Sequence, residues 1–93
     1  MTDVEVHVEF LGGNCPVQGE GTVDGKPFYF RARGESWSMS IGGPDVVGAP
    51  EWYWEEDYGT GPFDAGWMRD EEAEGFLRAA AVRWRNGEKG MTP

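Results

Sequence analysis

Glu55, Glu56 and Asp57 stand side by side in this chain. Adjacent carboxylates admit three kinds of chemistry. They can work as an acid and base on a glycosidic bond, hold calcium, or present negative charge to a basic partner. The first requires a sugar cleft, and a chain of 93 residues has little room for one. The second requires spaced ligands that end in a glutamate, and the 55–57 run lacks that pattern. Zinc is excluded more simply, since one histidine and one cysteine cannot supply a ligand set. His7 and Cys15 could act together only by meeting across the turn after the first strand, and no oxyanion donor accompanies them. The plain expectation is a solvent-facing His7 and a small, half-buried Cys15 thiol. Gly12-Gly13 and Gly42-Gly43 lack the Lys-Ser/Thr or the strand–turn–helix setting of a phosphate loop. The reading is therefore of a non-enzyme with no cofactor and no metal.

Charge presentation remains. The chain has 17 acidic and 8 basic residues, a formal charge of −9. Residues 44–68 carry Asp45, Glu51, Glu55, Glu56, Asp57 and Asp64 with no lysine or arginine. Two thirds of the net charge thus sits in about a quarter of the chain, among Trp52, Tyr53, Trp54, Tyr58, Phe63 and Trp67. Such a balance opposes direct contact with nucleic acid or an anionic membrane, both of which need a basic face. It suits a partner that is itself basic. Carboxylates about 5–7 Å apart imitate a row of phosphates, and interleaved aromatics supply the desolvated anchors that charge lacks. The expected partner-binding residues are Glu51, Trp52, Trp54, Glu55, Glu56, Asp57, Tyr58 and Asp64, extended by Asp70, Glu71, Glu72 and Glu74. Plain solubility is the competing reading of the same charge. Trp37 and Trp84 read as core, while Trp52, Trp54 and Trp67 divide between a lid over the core and an interface.

These residues need a scaffold, and alternation supplies it. Val4, Val6, Val8 and Phe10 share one face of a strand over 4–10, with Glu5, His7 and Glu9 on the other. Asp24-Gly25 is a strong hairpin signal. It sets Val23 against Lys26, Gly21 against Phe28, Gly19 against Phe30 and Val17 against Ala32, all on one face. A second turn at Gly34-Glu35 sets Ala32 against Trp37, Phe30 against Met39 and Phe28 against Ile41. Ser36, Ser38 and Ser40 then point outward with Gln18, Glu20, Tyr29 and Arg31. A slip of one residue would bury serines and arginines instead. Gly19 and Gly21 leave room for the Phe28 and Phe30 rings or mark a bulge.

The period changes after residue 69. Ala73, Phe76, Leu77, Ala80, Ala81 and Trp84 form the apolar stripe of a helix over 70–86. Asp70 is its expected N-cap, Arg78, Arg83 and Arg85 suit its later turns, and Gly87 stops it. Glu74 and Arg78 are spaced to pair. Gly75 costs roughly 1 kcal/mol against alanine inside a helix, a cost that close contact with the sheet would explain. The expected fold is α+β: an antiparallel meander of about four strands over 3–42, with one helix packed on one face in two layers. The 44–68 connection is long for a structureless link and predicts either a further short strand near 51–54 or a functional loop. The whole, 1–93, reads as one domain. A single cysteine suits a reducing cytosol. Met1-Thr-Asp-Val-Glu5 lacks the basic and apolar regions expected of a signal peptide, and no apolar run approaches the length of a membrane span. A cytoplasmic protein is expected, a monomer or a homodimer joined by sheet face or edge.

Three stretches carry a resemblance: Glu20-Gly-Thr-Val-Asp-Gly-Lys-Pro-Phe-Tyr-Phe-Arg-Ala-Arg-Gly34, Pro50-Glu-Trp-Tyr-Trp-Glu-Glu56 and Pro62-Phe-Asp-Ala-Gly-Trp-Met68. They resemble small acidic proteins of phages and mobile elements, a type that includes anti-CRISPR inhibitors, some of them DNA mimics. The resemblance implies a phage-encoded inhibitor. Its partner would be a basic surface of a host CRISPR-Cas effector subunit, blocked against target DNA. The alternative is a small phage accessory or ligand-binding module that uses Tyr29, Arg31 and Arg33 on the outer sheet face to hold an anion. Against that stands cross-strand pairing of Glu20 with Tyr29 or Gln18 with Arg31.

Overall fold

The computed structural model describes residues 4–61 and 63–93. The sheet start expected at residue 3, and Pro62 of the third resembling stretch, lie outside the described residues. Five strands follow in order: β1 (Val6–Gly12), β2 (Val17–Val23), β3 (Lys26–Arg33), β4 (Ser36–Ile41) and β5 (Trp52–Asp57). They form one antiparallel sheet in sequence order. A single 3₁₀ turn at Ala65–Trp67 leads into the helix α1 (Asp70–Arg85). The fold is α+β, as expected, with one more strand than the sequence made plain. The expected short strand near 51–54 is real and longer: β5 adds Trp52–Asp57 to the free edge of β4.

Turn chemistry sets the register. Asp24 and Gly25 adopt φ values of 48° and 83°, the pair of positive angles that a two-residue type I′ turn requires. Val17 therefore meets Ala32, Gly19 meets Phe30 and Gly21 meets Phe28. Gly34, at φ 66°, opens the next turn, and Phe28, Phe30 and Ala32 meet Ile41, Met39 and Trp37. The inner face this builds is almost wholly dry. Phe30, Met39, Ile41, Val17 and Val23 are inaccessible to solvent, and Ala73, Leu77, Ala80 and Ala81 of α1 close over them. Trp37 stacks between Phe30 and Phe76 at centroid distances of 5.7 and 5.1 Å. Tyr58 meets Phe76 edge-on at 5.8 Å.

Four sequence expectations change. Phe10 does not join Val6 and Val8 on the inner face. The β1–β2 register shifts between Val8 and Phe10, so Phe10 lies opposite Glu20 and Leu11 takes the inner place opposite Gly19. One extra residue in a bulge reverses the alternation beyond it, and Phe10 is left 52% exposed. Second, Asp70 is the first helical residue rather than the cap. Arg69 holds the N-cap position with extended backbone and makes no side-chain cap bond. Third, the helix ends at Arg85, with Asn86 as its C-cap. Fourth, Gly75 faces solvent, and a Cβ there would meet nothing within 4 Å. Ser40 keeps its outward register between Tyr29 and Tyr53 but is buried there.

Gly21 does hold the close approach. A Cβ on it would strike the His7 carbonyl oxygen and lie 2.8 Å from Cε2 of Phe28. The two glycines therefore predict opposite outcomes. Gly75→Ala should stabilise the protein by roughly 0.5–1 kcal/mol through helix propensity. Gly21→Ala should cost about 1–3 kcal/mol through overpacking beside the bulge. Urea unfolding of both variants against the parent checks the signs. A neutral Gly21→Ala would mean that β1 does not cross β2 at this point.

Candidate acidic interface

β5 divides the acidic segment between two faces. Its register sets Trp52, Trp54 and Glu56 against Ile41, Met39 and Trp37 on the helix side. Tyr53, Glu55 and Asp57 lie opposite Ser40, Ser38 and Ser36 on the outer side. The run Glu55-Glu56-Asp57 is thus not one cluster, because neighbouring strand residues point to opposite faces.

On the helix side the expected interface residues are engaged. Trp52 is only 8% exposed, and its Nε1 donates to the Glu88 carbonyl at 2.9 Å. Trp54 stacks on Trp52 with centroids 5.9 Å apart. It donates through Nε1 to Glu56 Oε2 at 2.8 Å, while the Arg83 guanidinium lies 4.7 Å from its ring centroid. These two tryptophans are a lid on the core. The tail after α1 holds the lid down: the Met91 N–H donates to the Tyr53 carbonyl at 2.6 Å, along the outer edge of β5.

Much of the acid is cancelled locally. Glu51 pairs with Lys26 at 3.0 Å, Glu72 with Arg69 at 3.6 Å, Glu74 with Arg78 at 3.3 Å and Glu56 with Arg83 at 4.0 Å. Each pair is partly solvated and contributes only about 0–1 kcal/mol, yet each removes a carboxylate from the field that a partner would meet. Glu72 also accepts the Tyr58 hydroxyl at 2.8 Å. That bond, more than the partial burial of the ring, raises the Tyr58 pKa above its ordinary 10.0. Among the described residues Glu55, Asp57, Asp70 and Glu71 make no ion pair.

Asp64 turns inward onto its own loop. Its Oδ2 accepts the N–H groups of Thr60 at 2.9 Å and Gly61 at 3.0 Å. Those two backbone donors hold its carboxyl below the ordinary 3.8. The loop it shapes leads into the 3₁₀ turn, where Ala65 N–H donates to the Gly34 carbonyl at 2.9 Å and Cys15 N–H to the Gly66 carbonyl at 2.8 Å. Ala65 and Met68 are buried at this end of the sheet, whereas Phe63 and Trp67 stand 67% and 65% exposed. These are the aromatics of the acidic segment that stand most open to a partner; Trp67, divided from sequence between lid and interface, is exposed, and neither residue was among the expected partner-binding residues. Trp67 carried the signal, since 63–68 shows no period that would bury every ring.

Tyr58 joins β5 to the first turn of α1 through Glu72. The Phe63–Trp67 turn lies in the chain between Asp57, which ends β5 on the outer face, and Asp70 and Glu71, which start α1. Asp70, Glu71 and Glu72 also complement the positive end of the helix dipole. The Cys–His pairing considered from sequence does not form. His7 lies near the start of β1 and Cys15 beyond its far end, some five strand residues or about 17 Å along the sheet. Cys15 is exposed rather than half-buried. Among the described residues no group of His, Cys, Asp and Glu is placed to hold a metal ion, and no helix is long and apolar enough to cross a membrane.

Comparison with known proteins gives no matching family model, no matching curated protein and no matching solved structure.

The Asp64 clip has a pH signature. A carboxyl whose pKa is lower folded than unfolded stabilises the fold above the unfolded value and loses that contribution as pH falls through the folded one. Asp64→Asn should therefore melt lower than the parent at pH 7. The difference should shrink from about pH 4 downward and vanish once both forms are protonated. Thermal melts from pH 7 to pH 2 check this. A difference that stays constant with pH would remove the charged acceptor from the account.

Proposed function

We propose that the chain is a non-enzymatic inhibitor that docks its acidic, aromatic end on a basic protein surface. The nucleic-acid-binding surface of a CRISPR effector is the target that the sequence resemblance favours. One observation carries the reading: Phe63 and Trp67 are each about two-thirds exposed, in a stretch of chain bounded by carboxylates at 57, 70 and 71 that no arginine of the chain neutralises. Exposed rings in a segment bounded by unpaired charge have the composition of an interface hot spot with a steering rim. Lys/Arg-lined channels that hold nucleic acid are the complementary surface. Lysines and arginines there would find carboxylates where phosphates ordinarily lie.

The interface is more compact than the sequence implied. Glu51, Glu56 and Glu74 are tied to the chain's own cations, and Trp52 is core. Binding then rests on the 57–71 end, with charge setting the encounter rate and the two rings setting residence time.

In a bacterial cell whose CRISPR system targets an infecting phage, the parent protein should raise plaquing at least tenfold. Trp67→Ala and the double reversal Asp57→Lys, Glu71→Lys should each remove that effect while leaving circular dichroism and melting temperature nearly unchanged. Full inhibition by both variants would move the interface elsewhere. Association measured on the target should also slow as salt rises from 50 to 300 mM, with dissociation little affected.

A further inference from the structure

The outer face of the sheet carries a second polar feature, on the side away from α1. Long side chains on β3 and β5 stand across short ones on β4: Arg31 is opposite Ser38 and Arg33 opposite Ser36, while Glu55 lies opposite Ser38 from the other side. Two strand spacings put the walls about 10 Å apart, and the serines form the floor. The trough is open to solvent and offers about 450 Å³, with Arg31, Arg33, Gly34, Ser36, Ser38, Tyr53 and Glu55 around it. That volume falls within the range of small-ligand sites.

The charge pattern of this trough is unlike the rest of the molecule. In a chain of net charge −9, Arg69, Arg78, Arg83 and Arg85 each pair with a carboxylate of the chain. Among the described residues Arg31 and Arg33 alone of the arginines do not. The cross-strand partner expected for Arg31, and the carboxylate on the facing strand, are each engaged elsewhere. Gln18 donates to the Tyr29 hydroxyl at 2.9 Å rather than meeting Arg31. Glu55 accepts the Tyr53 hydroxyl at 2.6 Å, which keeps its carboxylate on its own strand.

We infer that this trough binds a small phosphomonoester bearing hydroxyl groups, with the phosphate between Arg31 and Arg33 and a hydroxyl on Glu55. Alternate residues of one strand lie about 6.6 Å apart, so both guanidiniums can reach one phosphate. The Ser36 and Ser38 hydroxyls add donors from the floor. Three terminal oxygens use four such donor groups better than the two of a carboxylate. Glu55 on the far wall accepts a hydroxyl and repels a second phosphate. That selects a monoester over a polyphosphate or a polynucleotide strand.

Titration of the ¹⁵N-labelled protein with ribose 5-phosphate tests the assignment, following the backbone amides of Ser36 and Ser38 and the Nε–H groups of Arg31 and Arg33. Saturable shifts confined to the trough are expected. Ribose alone should give none, and inorganic phosphate should bind more weakly. The exposed pair Arg31→Gln, Arg33→Gln should weaken binding at least tenfold with an unchanged spectrum elsewhere. Ser38→Asp should do the same by placing a negative charge on the floor. Absence of saturable shifts up to 20 mM, equal binding by the variants, or tighter binding of a single-stranded oligonucleotide would each overturn the assignment. None of these readouts depends on the inhibitor reading, since the trough and the 57–71 end use different residues.

Discussion

One helix cannot cover one face of a five-stranded sheet. A 16-residue helix is about 24 Å long, and α1 runs with the strands, its first turn bonded to Tyr58 beside the Gly34–Glu35 turn and Arg85 bonded to Asp24 at the opposite end. Its width is only about 10 Å, whereas the four inter-strand gaps add up to about 19 Å. The rest of the apolar face must be closed by something else, and this requirement organises the rest of the molecule. At one end the 3₁₀ turn brings Ala65 and Met68 down onto the sheet. At the other, Trp52 and Trp54 lie over the core, and the tail is bonded to β5, Glu88 through Trp52 and Met91 through Tyr53. The aromatic richness of the segment after β4 is in large part the material of this closure.

That duty splits what the sequence presents as one acidic, aromatic block. Trp52, Trp54 and Tyr58 are drawn inward, and the carboxylates next to them are satisfied by Arg83 and Arg69 or by tryptophan and tyrosine donors. What stays open is set by where the closing segment must turn back. The 3₁₀ turn anchors its small residues, Ala65 and Gly66, and so faces Phe63 and Trp67 outward. The helix starts immediately afterwards, placing carboxylates at its positive end. A surface built in this way joins rings to charge because the fold leaves both over after its core is closed.

The opposite face has no such duty. Among the described residues no helix or further strand packs across it, so its polar residues need only be compatible with water. Serines on β4 between arginines on β3 and a glutamate on β5 leave a trough rather than a flat ladder. Among the described residues Arg31 and Arg33 are left without an ion pair in a strongly acidic chain, with Glu55 and Asp57 across the serines from them, whereas each of the other arginines pairs with a carboxylate.

The hairpins were legible from residues alone. Asp24-Gly25 and Gly34-Glu35 are local signals, and a register error of one residue would have buried Arg31 and the serines, so β2, β3 and β4 follow from turn chemistry and alternation. The helix stripe from Ala73 to Trp84 is equally local, because its period needs no partner to be seen. Tertiary structure decided the rest. The bulge that turns Phe10 outward depends on the backbone of β1 meeting Gly21, a contact between residues far apart in sequence. The fate of each tryptophan and each carboxylate between 51 and 74 depends on which arginine or backbone carbonyl arrives from α1 and the tail. Sequence fixes charge and period, which are properties of neighbours along the chain; pairing and exposure belong to neighbours in space, and only the closed fold assigns them.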